Sequence, residues 1–346
     1  MRPSEYAIPP GGLVLVTGAN GYIASHVVDV LLELGYNVRG TVRQSKPWLD
    51  RFFEDRYGKG RYESTVVSAM EEEDAFASAA KGTDGIIHVA TDVTLASEPH
   101  RIIPAVRNGT INALKAASSQ ESVKRFVLTS SSTAAIIPQA NKKGVIVDEN
   151  TWNDDVVALA WSGTAPDSAK GYTTYAASKT EGERAAWKWV EENKPGFVLN
   201  TVLPNCNVGK DSWLSRRLFP FSHGLANESQ VRPNFDTRAH ARFYNGFQYF
   251  VDVRDTARLH VAALLDPNVK EERIFAFARE YNWTDVLTIL RKLRPEQEFP
   301  DDPENEGRDY TEVVPIARAQ RLLQDFFGQT GWTSLEDSLA AGIEDI

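Results

Sequence analysis

The sequence predicts an α/β protein built on a doubly wound parallel sheet, with a smaller mixed region toward its C-terminal end. Three observations support this prediction. The apolar run at residues 13–16 precedes a glycine-containing turn and an amphipathic segment, which is the order strand, turn, helix. Apolar runs and helical segments then alternate as far as Pro204, a pattern typical of a parallel sheet covered on both faces. Beyond Pro204 the alternation weakens, so we expect an irregular region there.

The first turn has the chemistry of a phosphate-binding site. It reads TGANGYIA over residues 17–24, and apolar residues follow it at helical spacing. Gly18 permits a tight turn and Gly21 allows the backbone to approach a pyrophosphate, while the next helix directs free N–H groups toward it. A glycine turn can also be purely structural. The strand before it and the helix after it favour a Rossmann-type dinucleotide-binding domain.

The second predicted strand indicates which dinucleotide binds. An Asp or Glu about 20 residues past the glycines would bond a free ribose 2′-hydroxyl and indicate NAD. The segment instead reads YNVRGTVRQSK, in which Arg39 and Arg43 flank Thr41 and Lys46 follows. On a chain of net charge −9, two nearby arginines favour a 2′-phosphate over ordinary surface charges. We therefore expect NADPH/NADP+ as the cofactor.

The later elements are predicted in chain order from the same apolar patterns. Further strands are expected near Val66 and from Gly85, Arg125 and Val198, with helices over residues 105–119 and 179–194. The acidic run at residues 71–74 is predicted to begin a solvated helix.

The pattern divides the chain into two regions. Residues 206–245 contain much of a stretch rich in Trp, Arg, Phe and Asn, after which a strand and a helix return. We assign residues 1–205 and 246–270 to the NADP(H)-binding domain. Residues 206–245 and 271–346 are assigned to a substrate-binding region that covers the cofactor crevice.

Composition excludes several classes of protein. The 346 residues are 42% hydrophobic and 25% charged, which suffices for one nucleotide-binding domain and a smaller region. The pI near 5.3 argues against nucleic acid as a partner, and no apolar run is long enough to span a membrane. Cys206 is the one cysteine, and residues 1–12 lack the apolar core of a signal peptide. We expect a cytoplasmic protein without a metal; nothing indicates its oligomeric state.

Three side chains have the chemistry for proton handling. Tyr175 and Lys179, in the string YAASK, are four residues apart, so a helix places them on one face, one turn apart. A phenol titrates near 10 in water, and a fixed cation such as Lys179 favours its ionised form. Such a pair also occurs by chance on solvated helices. Upstream, RFVLTSS ends a strand at the carboxyl edge of the sheet, where Ser131 is a candidate donor to a substrate oxygen.

Together these motifs resemble the extended short-chain dehydrogenase/reductase family over nearly the whole chain. The strings VTGANGYIASHVV, VRGTVR, KRFVLTSS and YAASKTE are most similar to fungal and yeast NADPH-dependent aldehyde and ketone reductases, which are related to plant dihydroflavonol reductases. The resemblance implies that Ser131, Tyr175 and Lys179 are catalytic and that Lys179 also contacts the nicotinamide ribose. It implies that the residues of the glycine turn line the pyrophosphate, namely Gly18, Asn20, Gly21, Tyr22 and Ile23. Arg43, helped by Arg39, would hold the 2′-phosphate, Ala90 and Thr91 would pack under the adenosine ribose, and Pro204 would lie near the carboxamide.

The sequence departs from the family pattern at three places. Ala24 stands where many members have the third glycine of the turn, which calls for only local adjustment. Ser68 and Ala69 stand where many relatives carry an acidic residue for the adenine amino group. Val106 stands where an Asn often takes part in a proton relay, so Asn108 or water would have to replace it.

The resemblance implies that an aldehyde or ketone is reduced with NADPH, and the mix of side chains in the candidate pocket suits an aryl ketone or keto-ester. Tyr175 is the expected proton donor, Ser131 polarises the carbonyl, and Lys179 lowers the pKa of Tyr175. The candidate pocket residues mix apolar, aromatic, amide and acidic side chains. They are Asp92, Val93, Asn205, Asn207, Trp213, Phe243, Phe247 and Gln248.

Two alternatives remain open. A nucleotide-sugar epimerase or dehydratase shares the fold and the YxxxK pair, but such dehydratases usually carry an acidic pair after the catalytic hydroxyl, where this chain reads STAAII. A non-catalytic NADPH-sensing regulator would not need Ser131, Tyr175 and Lys179 together. His88 lies in an apolar strand and is expected to be a core histidine.

Overall fold

The computed structural model describes residues 5–210 and 247–344, which alternate between strands and helices. The strands of this part are β1 (Leu13–Thr17), β2 (Asn37–Val42), β3 (Tyr62–Val66), β4 (Gly85–His88), β5 (Arg125–Thr129), β6 (Ile146–Val147), β7 (Val198–Pro204), β8 (Cys206–Val208), β9 (Phe247–Asp252), β10 (Arg273–Ala276), β11 (Arg279–Asn282) and β12 (Glu312–Val313). Its helices are α1 (Tyr22–Glu33), α2 (Pro47–Tyr57), α3 (Pro99–Ser118), α4 (Asp154–Ser162), α5 (Lys170–Asn193), α6 (Val253–Leu265), α7 (Trp283–Leu293), α8 (Ile316–Phe327) and α9 (Leu335–Gly342).

Within the described residues, seven strands form one parallel sheet in the order β10, β7, β5, β4, β1, β2, β3. The strand order reverses between β1 and β4. In such a sheet the crevice outside the carboxyl ends of these two strands is the usual ligand site. The predicted doubly wound α/β fold is therefore confirmed.

Successive side chains along a strand are buried on opposite faces of this sheet. Val14 and Val16 of β1 belong to a core shared with α1, α6 and α8, whereas Leu15 belongs to a second core shared with α3 and α5. This period of two is the pattern expected of a strand that is covered on both sides. The two helical layers thus fix the sheet, and with it the crevice at its carboxyl edge.

A smaller mixed sheet stands beside the large one. Its middle strand β9 pairs in parallel with β8 and antiparallel with β11. The pairing differs from the sequence-based division at two strands. Strand β9, assigned to residues 246–270 of the nucleotide-binding domain, belongs to the small sheet, whereas β10, assigned to residues 271–346, is an edge strand of the large sheet beside β7.

The connection between β3 and β4 consists of turns. The prediction that residues 71–74 begin a helix is wrong, because this segment forms turns. The backbone N–H groups of Ala75 and Ala77 donate to the carbonyls three residues earlier in the chain. Asp74 has a φ of +57°, in the left-handed region, and its carbonyl accepts the N–H of Ala77 at 2.9 Å. Acidic composition indicated exposure here correctly but not the backbone conformation.

Helix α5 carries both Tyr175 and Lys179, and α3 packs along it. A Cβ placed on Gly182 would lie 3.4 Å from Cγ1 of Val106, at ordinary van der Waals distance. Val106 therefore packs against α5, and Asn108 is exposed. Val106 has no polar side-chain atom with which to pass a proton. No helix of the described ranges combines the length and the apolar character needed to cross a membrane.

Candidate active site

The turn after β1 is fixed by backbone geometry. Gly18 has a φ of +69°, and a Cβ at this position would lie 3.3 Å from Cα of Ala90, so both conformation and space require glycine. The N–H of Gly18 donates to Oγ1 of Thr41 at 3.0 Å, and the N–H of Ala19 donates to the Thr41 carbonyl at 2.9 Å. The end of β2 therefore holds the turn between β1 and α1.

Helix α1 begins directly after this turn without a side-chain cap. Gly21 is its N-cap residue and supplies no side-chain acceptor for the first N–H groups. Ile23 packs its side chain on the core, and Tyr22 donates its hydroxyl to the carbonyl of Gly209 at 3.1 Å. A glycine turn that leads into an uncapped helix N-terminus fits a pyrophosphate, because the N–H groups and the helix dipole both favour an anion.

The ends of β1 and β4 are joined by one hydroxyl. Oγ1 of Thr17 accepts the N–H groups of Val89 and Ala90, each at 2.9 Å, and lies 3.0 Å from Nδ1 of His88. Because its two acceptor positions are occupied, the Thr17 hydroxyl donates its proton to Nδ1. Burial, together with the charge of Lys179, lowers the pKa of His88 to about 3, so this histidine is a neutral core residue.

The two arginines singled out on β2 have different surroundings. The guanidinium of Arg39 contacts Glu63 at 2.6 Å and donates to the carbonyls of Ala79 at 2.9 Å and Lys81 at 2.7 Å. These contacts use Nε and Nη1 of Arg39 and hold the guanidinium against Glu63 and the turn after β3, and its role at a 2′-phosphate stays a prediction. Arg43 is exposed in the loop after β2 and has no ion pair with any described residue.

Thr91 follows β4 on the opposite wall of the crevice. Its Oγ1 is buried and has no hydrogen-bond partner among the described residues. Burying a hydroxyl without a hydrogen bond costs free energy, so we expect a polar group of a bound ligand to form a hydrogen bond with it. Together with the glycine turn and Arg43, this hydroxyl makes the crevice suitable for a phosphorylated dinucleotide.

Ser131 and Tyr175 meet beyond the carboxyl end of β5. Ser131 is buried at the start of a short 3₁₀ turn over residues 132–134, and its side chain lies beside the phenol of Tyr175. Burial raises the pKa of Tyr175 above its usual value, and the neighbouring Ser131 opposes that shift. That Lys179 lowers this pKa stays a prediction.

Lys179 is buried one turn beyond Tyr175. Its Nζ donates to the carbonyl of Thr129 at 2.7 Å, which directs the ammonium at the end of β5. Burial lowers its pKa to about 8, and the charge of Glu183 opposes the shift. The ammonium is thus predominantly protonated at pH 7, although less so than an exposed lysine would be.

Glu183 is a residue that sequence reasoning did not identify. It lies one more turn along α5, and its carboxylate is fully buried against Arg273 of β10, with an Nε–Oε1 distance of 2.8 Å. The same carboxylate accepts the hydroxyls of Ser130 at 2.7 Å and Thr201 at 2.8 Å. The string YAASKTEGE could have pointed to it, because Tyr175, Lys179 and Glu183 repeat every four residues along one helix face.

The predicted pocket residues divide into three groups. Asp92 forms a local turn with Thr94, and Val93 beside it is 52% exposed, which leaves an apolar side chain next to the crevice wall. Trp213 and Phe243 lie outside the described residues, as does the side chain of Phe247.

The remaining predicted pocket residues hold the strands around Pro204. Oδ1 of Asn205 accepts the N–H of Cys206 at 2.8 Å, and Oδ1 of Asn207 accepts the hydroxyl of Thr256 at 2.6 Å. Nε2 of Gln248 lies 3.4 Å from the Tyr281 hydroxyl. The polar side-chain atoms of these three residues make contacts within the fold.

Comparison with known proteins is consistent with this geometry. Residues 14–278 match the family described as NAD dependent epimerase/dehydratase family. The chain is 44% identical to the ketoreductase adrE of Penicillium rubens, covering 99% of this chain and 98% of that protein. It is 39% identical to aldehyde reductase 2 of Sporidiobolus salmonicolor, covering 96% and 95%. The fold is similar to that of yeast methylglyoxal/isovaleraldehyde reductase Gre2 complexed with NADPH, with a TM-score of 0.73, 23% identity and coverage of 95% and 96%.

Proposed function

The chain belongs to the NAD dependent epimerase/dehydratase family of extended short-chain dehydrogenases/reductases, and we propose that it is an NADPH-dependent carbonyl reductase that converts an aldehyde or ketone into an alcohol. The observation that carries the proposal is that three side chains with proton-handling chemistry come together: Ser131 lies beside the phenol of Tyr175 and acts on its pKa, and Lys179 is buried one helical turn away. The group lies at the carboxyl edge of the sheet that also bears the nucleotide turn. The names of two relatives, a ketoreductase and an aldehyde reductase, support the same reaction.

The roles of the three side chains follow from their charges. When bound, NADPH supplies the hydride that adds to the carbonyl carbon. Negative charge then grows on the carbonyl oxygen, and the hydroxyls of Ser131 and Tyr175 stabilise it as hydrogen-bond donors. Because burial raises its pKa, Tyr175 is protonated at neutral pH and carries the proton that the product oxygen needs. Lys179, protonated at pH 7, offers a fixed positive charge beside this step.

The cofactor assignment rests on the crevice around β1, β2 and β4. The uncapped start of α1 after Gly18 and Gly21 suits the pyrophosphate, and the unpartnered hydroxyl of Thr91 lies on the facing wall. Arg43 is the cation that we assign to the 2′-phosphate. Asp and Glu are absent from residues 36–46, which removes the usual partner of a free ribose 2′-hydroxyl.

The finer assignments concern the substrate. We place the substrate over Ser131 and Tyr175, with the exposed apolar Val93 on one wall. An apolar wall suits an aryl ketone or keto-ester better than a charged sugar nucleotide. The two positions after Ser131 are Ser132 and Thr133, where a dehydratase would need acids, so reduction is the reaction that the site supports best.

The test is a screen of NADPH consumption over aldehydes, aryl ketones and keto-esters, with chiral analysis of the alcohols. Tyr175→Phe keeps the ring and removes the proton, so kcat is expected to fall at least about a hundredfold while NADPH binding is retained. Near-normal turnover of that variant would contradict the assignment of Tyr175. Tight NADPH binding without oxidation across the whole panel would instead favour a sensing protein.

A further inference from the structure

Ser131 receives two hydrogen bonds, and both come from Thr133. The backbone N–H of Thr133 donates to Oγ of Ser131 at 3.2 Å, and the Thr133 hydroxyl donates to the same oxygen at 3.0 Å. All of these groups are buried, so water does not compete with them. A serine oxygen accepts two hydrogen bonds, and its acceptor positions are therefore filled.

The filled acceptor positions decide what the Ser131 hydroxyl does. With no acceptor position left, the side chain can enter a further hydrogen bond only by donating its proton. Ser131 lies beside the phenol of Tyr175 and lowers the pKa of that phenol, which is the effect of a group that donates toward the phenolate. An O–H whose oxygen accepts hydrogen bonds is also polarised into a stronger donor.

Thr133 is itself held from a separate element. Its carbonyl accepts Nδ2 of Asn153 at 2.9 Å, and the N–H of Asn153 donates to the carbonyl of Ala134 at 3.0 Å. Asn153 is the N-cap of α4 and accepts the N–H of Val156. The start of α4 therefore fixes the short turn that carries Thr133, and so the direction from which Thr133 reaches Ser131.

We propose that Thr133 is a positioning residue for the reduction, which aims and strengthens the Ser131 hydroxyl as a donor to the substrate carbonyl oxygen. The proposal rests on the function proposed above. Thr133 would act on the transition state through Ser131, because its hydroxyl bonds Oγ of Ser131 directly. A residue that only completed the turn would affect folding and leave the chemical step unchanged.

The experiment is a double-mutant cycle on kcat with a carbonyl substrate that the wild type reduces. Thr133→Val removes the hydroxyl and keeps the volume and the backbone N–H bond, so kcat is expected to fall about tenfold with the KM for NADPH unchanged. Thr133→Ser restores the hydroxyl and is expected to restore kcat to within about twofold. In a Ser131→Ala background, Thr133→Val is expected to cause no further loss.

A matched control separates this effect from the loss of a buried threonine. Thr110 of α3 is equally buried, and among the described residues its hydroxyl bonds only the carbonyl of Val106, so Thr110→Val is expected to leave kcat unchanged. Equal losses from Thr133→Val with and without Ser131 would overturn the proposal, as would wild-type kcat in Thr133→Val. If Thr133→Val does not fold, Thr133→Ser and Thr133→Ala are compared instead, and equal kcat values for these two variants would overturn the proposal. Absence of carbonyl reduction in the wild type would overturn the proposed function itself.

Discussion

The two walls of the crevice are built by different means. On the nucleotide side, the turn after β1 is shaped by backbone conformation at Gly18 and by hydrogen bonds from its N–H groups to Thr41. On the catalytic side, Lys179 donates to the carbonyl of Thr129, and one turn beyond it a buried ion pair joins Glu183 to Arg273. Backbone sites tolerate change around them, whereas a buried charge network fails when one member is lost.

The contrast suits the work of each wall. Phosphates carry their charge over several oxygens and are bound by rows of N–H groups, which a turn and a helix N-terminus supply without ionisable side chains. Proton transfer depends on pKa values, and these are set by burial and by neighbouring charges. The buried Lys179, with Glu183 one turn beyond it, shows both influences acting in opposite directions on one group.

Breaking the ion pair is expected to have the largest effect on stability. In Arg273→Met the carboxylate of Glu183 stays buried without its main cation, which should lower the free energy of unfolding by about 3–5 kcal/mol. Urea denaturation followed by circular dichroism measures this loss. Adding Glu183→Gln removes the uncompensated charge and should recover part of it.

The matched control is an exposed pair on the same helix. Lys188 and Glu192 of α5 approach to 3.8 Å with side chains 73% and 59% exposed, so Lys188→Met should change stability by less than about 1 kcal/mol. If Arg273→Met were no more destabilising than Lys188→Met, the catalytic wall would not depend on its buried charges.

On the nucleotide side, the sharpest test compares the two arginines of the second strand region. Arg43→Ala is expected to weaken NADPH binding about ten- to a hundredfold and to leave NADH binding unchanged, because only NADPH carries the 2′-phosphate. Arg39→Ala removes contacts to Glu63 and two carbonyls and should leave both affinities as they are. Fluorescence titration with each nucleotide measures these affinities. Equal losses for NADPH and NADH in Arg43→Ala would place the phosphate elsewhere.

How far the sequence predicts each wall follows from the same contrast. The glycine turn and the strands from Gly85, Arg125 and Val198 were predicted because their signals lie in short, contiguous strings. The ion pair of Arg39 with Glu63 was not predicted, because the pairing register of β2 with β3 is what brings the two residues together. The Glu183–Arg273 pair joins residues 90 positions apart, so only the strand order brings it together.

The sheet to which β10 belongs was not predicted, for a related reason. β10 is a strand of four residues that follows a charged stretch, and nothing local distinguishes it from a strand of the small sheet. Its neighbour in the large sheet is β7, where Ala276 stands opposite Pro204. Strand order is a property of the packed sheet, and an unaligned sequence carries no direct record of it.

The smallest expected effect concerns acid stability and the support behind Lys179. Nδ1 of His260 donates to the carbonyl of Thr256 at 2.8 Å, so Nε2 accepts the hydroxyl of Thr129 at 2.8 Å, and the ring is neutral. Burial lowers the pKa of His260 to about 4, whereas the unfolded chain titrates near 6.5. Between these values the unfolded state binds one more proton, so stability is lost as the pH falls through this window.

Replacing this ring should flatten the pH dependence of stability. His260→Gln removes one proton of difference, so the free energy of unfolding lost between pH 7 and pH 5 should shrink by about 2 kcal/mol relative to the wild type. The exposed His100 provides the control, and His100→Gln should leave the wild-type slope unchanged. Urea denaturation at the two pH values measures both. Identical slopes for wild type and His260→Gln would mean that His260 is charged in the fold, and Thr129 would then lose the acceptor that holds its hydroxyl beside Lys179.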